Sequence, residues 1–461
     1  MSRSRESVTS VIKAYDVRGV VGKQIDAEFI YDVGAAFGRL MREEGAEQIA
    51  IGHDMRPSSP ELSQAFAQGV ISQGLNVLYL GLNSTDQLYF ASGSYNCPGA
   101  MFTASHNPAE YNGIKLCRSG ARPVGQETGL AEIIDMLVAG VPAFSGAPGQ
   151  IQQGDSLTAY GAYLRELVDL SGIRPLRVAV DAANGMGGYT VPEVFAGLPL
   201  EIEPLYFELD GTFPNHEANP LDPKNLVDLQ EFTPQVGADI GLAFDGDADR
   251  CFVVDEQGQP VSPSAICAIV AERYLAQKPG ATIIHNLITS KAVPEIIAEN
   301  GGVAVRTRVG HSFIKAKMAE EKAVFGGEHS AHYYFTEFFN ADSGILAAMH
   351  VLAALGSQDK PLSEMMAAYN RYAASGEINS RLNSAAEQKQ RTQAVIDAFE
   401  STGRIESVDE LDGVTVQLRD TPAWFNVRAS NTEPLLRLNV EAPTTAEVDA
   451  LVAEILGIIR G

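Results

Sequence analysis

At about 150 residues per domain, a chain of 461 residues makes roughly three domains, one more or less. With 45% hydrophobic and 20% charged residues it has a globular composition and enough apolar surface for several cores. Lys and Arg number 34 against 58 Asp and Glu, a formal charge of −24 that excludes nucleic acid and anionic membrane as main partners; an anionic small molecule would need a local cationic pocket.

The opening MSRSRESVTSVIKAYD lacks the apolar stretch of a signal peptide, and no run reaches the roughly 18 apolar residues of a membrane span, so a cytoplasmic location is expected. EFIYDVGAAFGRLMREEG has helical periodicity as far as Gly45, QIAIGHD is a short buried-strand pattern, and PELSQAFAQGVISQG is helical again. NVLYLGL and PGAMFTAS read as extended. Short apolar strands alternating with amphipathic helices predict βαβ units around a mixed or parallel sheet.

VPAFSGAPGQIQQGD (141–155) has no periodicity and marks a first boundary. The alternation then restarts: a helix over 160–170, a strand LRVAVDAAN, a helix over 226–232 and a strand ADIGLAF. After Gly258 it starts a third time, with strands ATIIHNLI and VAVRTRV around a helix over 291–300. From about Gly376 the pattern becomes α+β: a strand, a helix over 385–400, strands GVTVQLR, AWFNVRA and LLRLNVEA, and a closing helix TTAEVDALVAEILGIIRG. The four cysteines (Cys97, Cys117, Cys251, Cys267) are widely spaced and never C-x-x-C, so reduced, buried thiols are expected.

Several loops carry chemistry. TASHNPAEYNGIK (103–115) holds Ser105, which is either a turn serine or a nucleophile. It lacks the G-x-S-x-G elbow of hydrolases. Neighbouring side chains tend to point apart, so His106 is expected out of reach of Ser105, and a distant activator is expected instead. In FDGDADR (244–250) Asp245, Asp247 and Asp249 are spaced to converge on one side of an extended or looped backbone, which costs energy unless a cation lies between them. Oxygen ligands favour Mg²⁺, Mn²⁺ or Ca²⁺. A solvated acidic turn is the plain alternative; an EF-hand fails because Arg250 stands where the loop needs glycine.

VRASNTEP (427–434) offers Arg428, Ser430, Asn431 and Thr432 as a phosphate cradle or an ordinary hairpin turn. FGGEHSAH (325–332) offers Glu328 and Ser330 to a polyol, or to a turn. RVGHSFIKAKM (308–318) places Gly310 and His311 at a helix start, a position suited to an anion or to proton transfer. DAANGMGG (181–188) lacks dinucleotide-loop spacing and reads as a tight strand–helix turn.

Together and in this order, AYDVRG (14–19), TASHNPAEYNGIK, FDGDADR, GHSFIK, GGEHSAH and RASNTEP resemble the α-D-phosphohexomutases, the family that includes phosphomannomutase and phosphoglucomutase. The resemblance implies three α/β domains of similar topology with mixed sheets and a smaller C-terminal α+β domain around a central cleft. On it the domains are 1–152 with the phosphoserine, 153–256 with the metal loop, 257–373 with the sugar-reading loop and 374–461 with the phosphate-binding loop. Ser105 resembles the family's phosphoserine, and Asp245, Asp247 and Asp249 resemble ligands of one Mg²⁺ per chain, with a phosphoserine oxygen completing the set. Glu328 and Ser330 match sugar-hydroxyl readers, and Arg428, Ser430, Asn431 and Thr432 the site of the phosphate that is not transferred. Tyr15, Arg18, Lys115, Arg250, Gly310 and His311 match the cleft lining; Arg18 and Lys115 would stabilise the moving group, and His311 or Lys115 would carry the hydroxyl proton.

One departure stands out: many bacterial relatives have a lysine in the segment reading HNLITS here, where this chain has Ile288, with Lys291 the nearest cation. The implied reaction interconverts mannose 6-phosphate and mannose 1-phosphate through a hexose 1,6-bisphosphate, which also serves as activator, and feeds GDP-mannose synthesis. NSTDQLYF (83–90) and FELDGTFPNHEANP (207–220) have the texture of bacterial phosphomannomutases. Glucose or dual specificity is the nearest alternative, a phosphoglucosamine mutase a further one, and a non-catalytic sugar-phosphate-binding protein the alternative of another class. A monomer or homodimer is expected.

Overall fold

The computed structural model describes residues 3–430 and 434–461; the side chain of His311 lies outside that description. Four sheets follow one another along the chain. The first is mixed and runs in the order Val17–Val20, Tyr111–Arg118, Gly99–Phe102, Gln48–His53, Asn76–Leu82, Ile151–Gln153, with Arg122–Pro123 paired to Tyr111–Arg118. The helices Ala27–Glu43 and Ser59–Ser72 cover it. Asp26 caps the first of these by accepting from Phe29 N at 2.7 Å, and its buried face presents Phe29, Ile30, Val33, Phe37 and Leu40. The two helices pack backbone to backbone: a Cβ on Gly69 would lie 2.1 Å from the Tyr31 carbonyl oxygen.

The second sheet orders Pro260–Val261, Cys251–Asp255, Ile240–Phe244, Leu176–Asp181 and Leu200–Leu205. Ile240–Phe244 runs parallel to Leu176–Asp181 and antiparallel to Cys251–Asp255, so the turn between the antiparallel pair leaves the sheet at its buried centre. The third orders Val303–Thr307, Thr282–Asn286, Phe325–Gly327, Tyr333–Phe335 and Ala341–Asp342. The fourth is antiparallel throughout, in the order Ala373–Arg381, Leu435–Ala442, Trp424–Ala429, Val414–Leu418, Ile405–Asp409.

The second and third units share one continuous apolar core, to which Tyr89, Phe90, Cys117 and Ala121 of the first unit also contribute, whereas the main core of the first unit and that of the fourth stand apart. Gly344–Gly356 explains the fusion. This GILAAMHVLAALG helix is apolar on nearly every face and buried along almost its whole length, as a helix must be when it has no polar side to show water. All four cysteines are free and buried, as the sequence leads one to expect. Among the described residues no helix is long and apolar enough to cross a membrane.

Two joints tie the units together. At the first, the buried Asp86 carboxylate accepts from the hydroxyls of Ser84, Tyr160 and Ser343, the last two at 2.6 Å, so three of the four units meet on one side chain. At the second, Glu441 Oε1 accepts from Lys291 N at 2.9 Å and from Trp424 Nε1 at 2.8 Å, linking the third unit to the fourth beside a cavity of about 230 Å³. An Arg306–Asp409 ion pair and a Val309 N–Asp412 Oδ2 bond of 3.2 Å join the same two units.

Candidate active site

Ser105 follows the short strand Gly99–Phe102 and has a left-handed backbone, φ +50°, with its N–H donating to Thr103 Oγ1 at 2.9 Å. Its Oγ donates to Asp245 Oδ2 at 2.8 Å. His106 Nδ1 stands 3.2 Å from the same Oγ, contrary to the expectation that the histidine would point away. The alternation behind that expectation belongs to extended backbone; the positive φ turns the Ser105 side chain back toward its neighbour. Burial, together with the charges of Arg250 and Arg18, holds the His106 ring well below the usual imidazole range, so it is neutral at pH 7.

The aspartates occupy the turn that leaves Ile240–Phe244. Asp245, Asp247 and Asp249 are all buried and bring carboxylate oxygens within 4.8 Å of one another. Gly246 lets this turn press on the serine loop, since a Cβ there would sit 2.5 Å from the Ser105 carbonyl oxygen. Two cations balance the cluster: Lys115 Nζ reaches Asp247 Oδ2 at 2.7 Å and Asp249 Oδ2 at 2.5 Å, and Arg250 Nη2 reaches Asp245 Oδ2 at 2.9 Å. Burial pushes the Asp245 carboxyl up to about 7 against the pull of Arg250. Burial would raise Asp247 too, but the Lys115 ammonium and the Thr85 hydroxyl hold it below the usual range.

Asp247 Oδ1 and Asp249 Oδ1 are buried without a hydrogen-bond partner among the described residues. Orphaned carboxylate oxygens in an all-oxygen set fit a hard divalent cation. The strands on either side exclude the helix–loop–helix of an EF-hand.

A cavity of about 990 Å³ opens over this centre, and Tyr15, Arg18, Ser105, His106, Lys115 and Asp249 line it. Lys13, Arg18 and Lys115 bring to it the cationic groups that an anionic ligand would need on this acidic chain, beside the carboxylates of Asp16, Asp249 and Asp342. Arg18 is braced by Asn107 Oδ1 at 2.6 Å and by Asp16 Oδ2. His332 lines the cavity as well, with Nε2 3.8 Å from Asp249 Oδ1. Sequence reasoning missed it; its signal was the second histidine of FGGEHSAH, which bridges to Arg250 across the two sheets. Asp249, His332 and Asp342 form a second group with ligand spacing, in which the buried Lys315 already pairs Asp342 at 2.8 Å.

Glu328 is buried; its oxygens accept from Tyr334 OH at 2.7 Å, Gly310 N at 3.1 Å and Asn286 Nδ2 at 3.3 Å. Gly310, at φ +132°, caps the helix His311–Glu321, and Ser330 Oγ lies 3.1 Å from His332 Nδ1. Ile288 lines the smaller cavity at the joint of the third and fourth units, where Lys291 contributes its backbone N–H to Glu441.

On the fourth sheet Arg428 stands directly opposite Arg437. Two facing guanidiniums repel unless an anion lies between them. Here Glu377 does so, 3.0 Å from Arg428 Nη2 and 3.2 Å from Arg437 Nη1. Arg437 Nη2 also reaches Ser430 Oγ at 3.4 Å, so an unforeseen second arginine joins this cradle. Asn431 and Thr432 lie outside the described residues.

Four successive domain models of one family match the chain: phosphoglucomutase/phosphomannomutase α/β/α domain I over residues 9–139, domain II over 158–258, domain III over 262–372, and the C-terminal domain over 377–458. The chain belongs to this family. A phosphomannomutase of Escherichia coli is 36% identical over 97% of this chain and 98% of its own length. A phosphoglucomutase of Neisseria meningitidis is 34% identical over 98% of this chain and 96% of its own. A crystal structure of a Burkholderia thailandensis phosphoglucomutase/phosphomannomutase family protein superposes with a TM-score of 0.88 at 30% identity, covering 100% of this chain and 98% of that one. This phosphohexomutase is therefore an isomerase of hexose phosphates, with the fold of three mixed α/β sheets and an antiparallel C-terminal sheet that its motifs implied.

Proposed function

We propose that this phosphohexomutase interconverts mannose 6-phosphate and mannose 1-phosphate, with Ser105 as carrier of the phosphoryl group. The observation that carries the reading is Ser105 Oγ hydrogen-bonded to the aspartate cluster beneath a cavity that Arg18 and Lys115 also line. The attacking sugar hydroxyl forms a bond to phosphorus as the bond from phosphorus to Ser105 Oγ breaks, and the hydroxyl proton leaves to a base. The product is a hexose 1,6-bisphosphate; after it turns end for end, Ser105 takes back the other phosphate. Such a transfer needs positioning and charge neutralisation more than covalent assistance.

Mg²⁺ held by Asp245, Asp247 and Asp249, with an oxygen on Ser105, would supply positive charge at the phosphoryl group. Arg250, already on Asp245, and Lys115, already on Asp247 and Asp249, add fixed cationic charge beside Ser105 Oγ. Arg18 in the cavity faces the transferring group, with Tyr15 beside it. Arg428 and Ser430, joined by Arg437, hold the distal phosphate together with Asn431 and Thr432. Glu328 and Ser330 read sugar hydroxyls, and Gly310 N–H fixes the Glu328 carboxylate. His332 joins His311 as acceptor of the hydroxyl proton, while Lys115, held as an ammonium by Asp247 and Asp249, is suited to charge neutralisation instead; the pH profiles of the two histidine variants decide between them. We place the domain limits at 152, 256 and 373 and the protein in the cytoplasm.

The mannose preference is supported by the Escherichia coli relative; the Neisseria relative favours glucose as second substrate. The test is kcat/KM for mannose 1-phosphate and glucose 1-phosphate side by side, with Mg²⁺ and a trace of the matching bisphosphate. A clear mannose preference supports the reading, and equal rates replace it with dual specificity. Ser105→Ala should abolish turnover while leaving hexose-phosphate binding in place. Turnover at the parental rate in that variant sinks the phosphoserine mechanism.

A further inference from the structure

Arg56 lies in HDMRPSSPEL, a stretch that carries none of the chemistry assigned above. It follows the strand Gln48–His53, whose parallel neighbour Gly99–Phe102 leads into the serine loop, so the two strands deliver their exits side by side. Arg56 is 1% exposed. Its Nη2 donates to the carbonyls of Ser105 at 2.9 Å and Asn107 at 2.6 Å, and its Nη1 to those of Pro108 at 2.8 Å and Tyr111 at 3.0 Å. Three of these acceptors belong to the loop that presents Ser105, and the fourth opens the strand Tyr111–Arg118 that the loop runs into.

The fork is itself aimed from behind. Asp54 Oδ2 lies 3.2 Å from Arg56 Nε, while Asp54 Oδ1 accepts from Arg56 N at 3.0 Å and from Ser59 Oγ at 2.6 Å. On the other side the Phe213 ring lies 5.1 Å from the guanidinium carbon. Gly211 presses on the Arg56 backbone, where a Cβ would meet its Cα at 2.5 Å. One guanidinium therefore connects the serine loop to the second domain, which also carries the aspartates.

We infer that Arg56 is a positioning residue for phosphoryl transfer: by clamping three carbonyls of the serine loop and that of Tyr111, where the next strand begins, it fixes Ser105 in its left-handed backbone and so sets Oγ on Asp245. The inference rests on the reading of Ser105 as phosphoryl carrier. The Ser105 carbonyl is held between Arg56 and Gly246, so the loop cannot slide along its own axis without losing one contact or closing the other. A lysine cannot reproduce this, because an ammonium on a flexible stem has no planar fork with which to serve four acceptors.

The test is Arg56→Lys in the full-length protein, with Asp54→Asn as second variant. The parent and each variant are phosphorylated with hexose 1,6-bisphosphate, and phosphate on Ser105 is quantified by mass spectrometry. Hexose-phosphate affinity is then measured by calorimetry, folding by circular dichroism and thermal midpoint, and the single-turnover rate of transfer from Ser105 by rapid quench. A displacement of reacting groups by about 1 Å costs roughly 100-fold in rate, so Arg56→Lys should slow transfer by about that factor while the dissociation constant stays within about twofold. Asp54→Asn, which only loosens the fork, should slow it about tenfold.

Transfer within about threefold of the parent in a folded Arg56→Lys protein overturns the inference. So does a joint fall of affinity, transfer and thermal midpoint, which is what a general structural role gives. If Arg56→Lys does not fold, Asp54→Asn decides by the same criteria. A parent that takes no phosphate on Ser105 overturns the carrier reading and this inference with it, whereas a phosphorylated parent beside a fully active Arg56→Lys overturns the inference alone.

Discussion

Tyr160→Phe isolates a single hydrogen bond at the joint of the first three domains. The ring is fully buried, with its centroid 5.9 Å from that of Phe90 and 6.4 Å from that of Phe338, so phenylalanine keeps the packing. Only the hydroxyl goes, one of three that hold the Asp86 carboxylate. Burial pushes the Asp86 carboxyl up to about 6, and the hydroxyls of Ser343, Ser84 and Tyr160 oppose that rise. A hydrogen bond to a charged group contributes about 1.5–3 kcal/mol. Losing one should lift the carboxyl by roughly one to two further pH units, at about 1.36 kcal/mol for each.

The pH dependence follows from that direction. A carboxyl whose folded value is raised loses stability as pH climbs from its unfolded value to its folded one, because the folded state keeps the proton longer. The parent levels off just above pH 6, where Asp86 has ionised, while the variant goes on losing stability up to its own higher midpoint. The gap between the two proteins should therefore widen by about 2 kcal/mol between pH 6 and pH 8.5. Urea unfolding of both proteins, followed by far-ultraviolet circular dichroism at the two pH values, reads it directly. A gap that does not change with pH, or one that is larger at pH 6, refutes the account of Asp86 as a buried anion held by hydroxyls.

Two further outcomes are expected. Asp247→Asn removes one buried carboxylate from the acidic cluster and should weaken Mn²⁺ binding to metal-stripped protein at least about tenfold, ~1.4 kcal/mol, by calorimetry; unchanged affinity would place the cation elsewhere. Arg428→Met removes one of the two guanidiniums facing each other on the last sheet and should raise KM for hexose phosphates by roughly 10- to 100-fold, since a charge-assisted bond contributes about 1.5–3 kcal/mol. A loss confined to kcat would contradict a binding role.

The alternation of short apolar strands with amphipathic helices was legible because period 2 and period 3.6 survive in sequence wherever one face is buried. It failed where no face is polar: Gly344–Gly356 has no stripe to detect, and it is the helix that fuses the second and third cores. Tyr111–Arg118 went unread as a strand because it begins inside the serine motif, whose Asn-Gly reads as a turn; Gly113 is the backbone position that approaches Val17 across the pair. The aspartate turn was legible because its three carboxylates alternate within one short stretch, Asp245, Asp247 and Asp249. Arg56, Asp86 and His332 were not, since their partners lie far away in sequence and only tertiary packing brings them together. His106 was misjudged for a local reason: one residue with positive φ reverses the direction that alternation assumes.

The chain has one tryptophan, and it sits at the joint where the last domain meets the third. Its indole N–H and the first amide of the helix entry at Lys291 share the same carboxylate oxygen of Glu441, beside a cavity open enough to take water. Indole emission responds to a nearby charge and to solvent. Any rotation of the last domain that parts this three-way contact would therefore change the fluorescence of the unlabelled protein, against no tryptophan background from the other domains. The enzyme thus carries its own optical gauge of domain movement, readable in a stopped-flow cell during turnover.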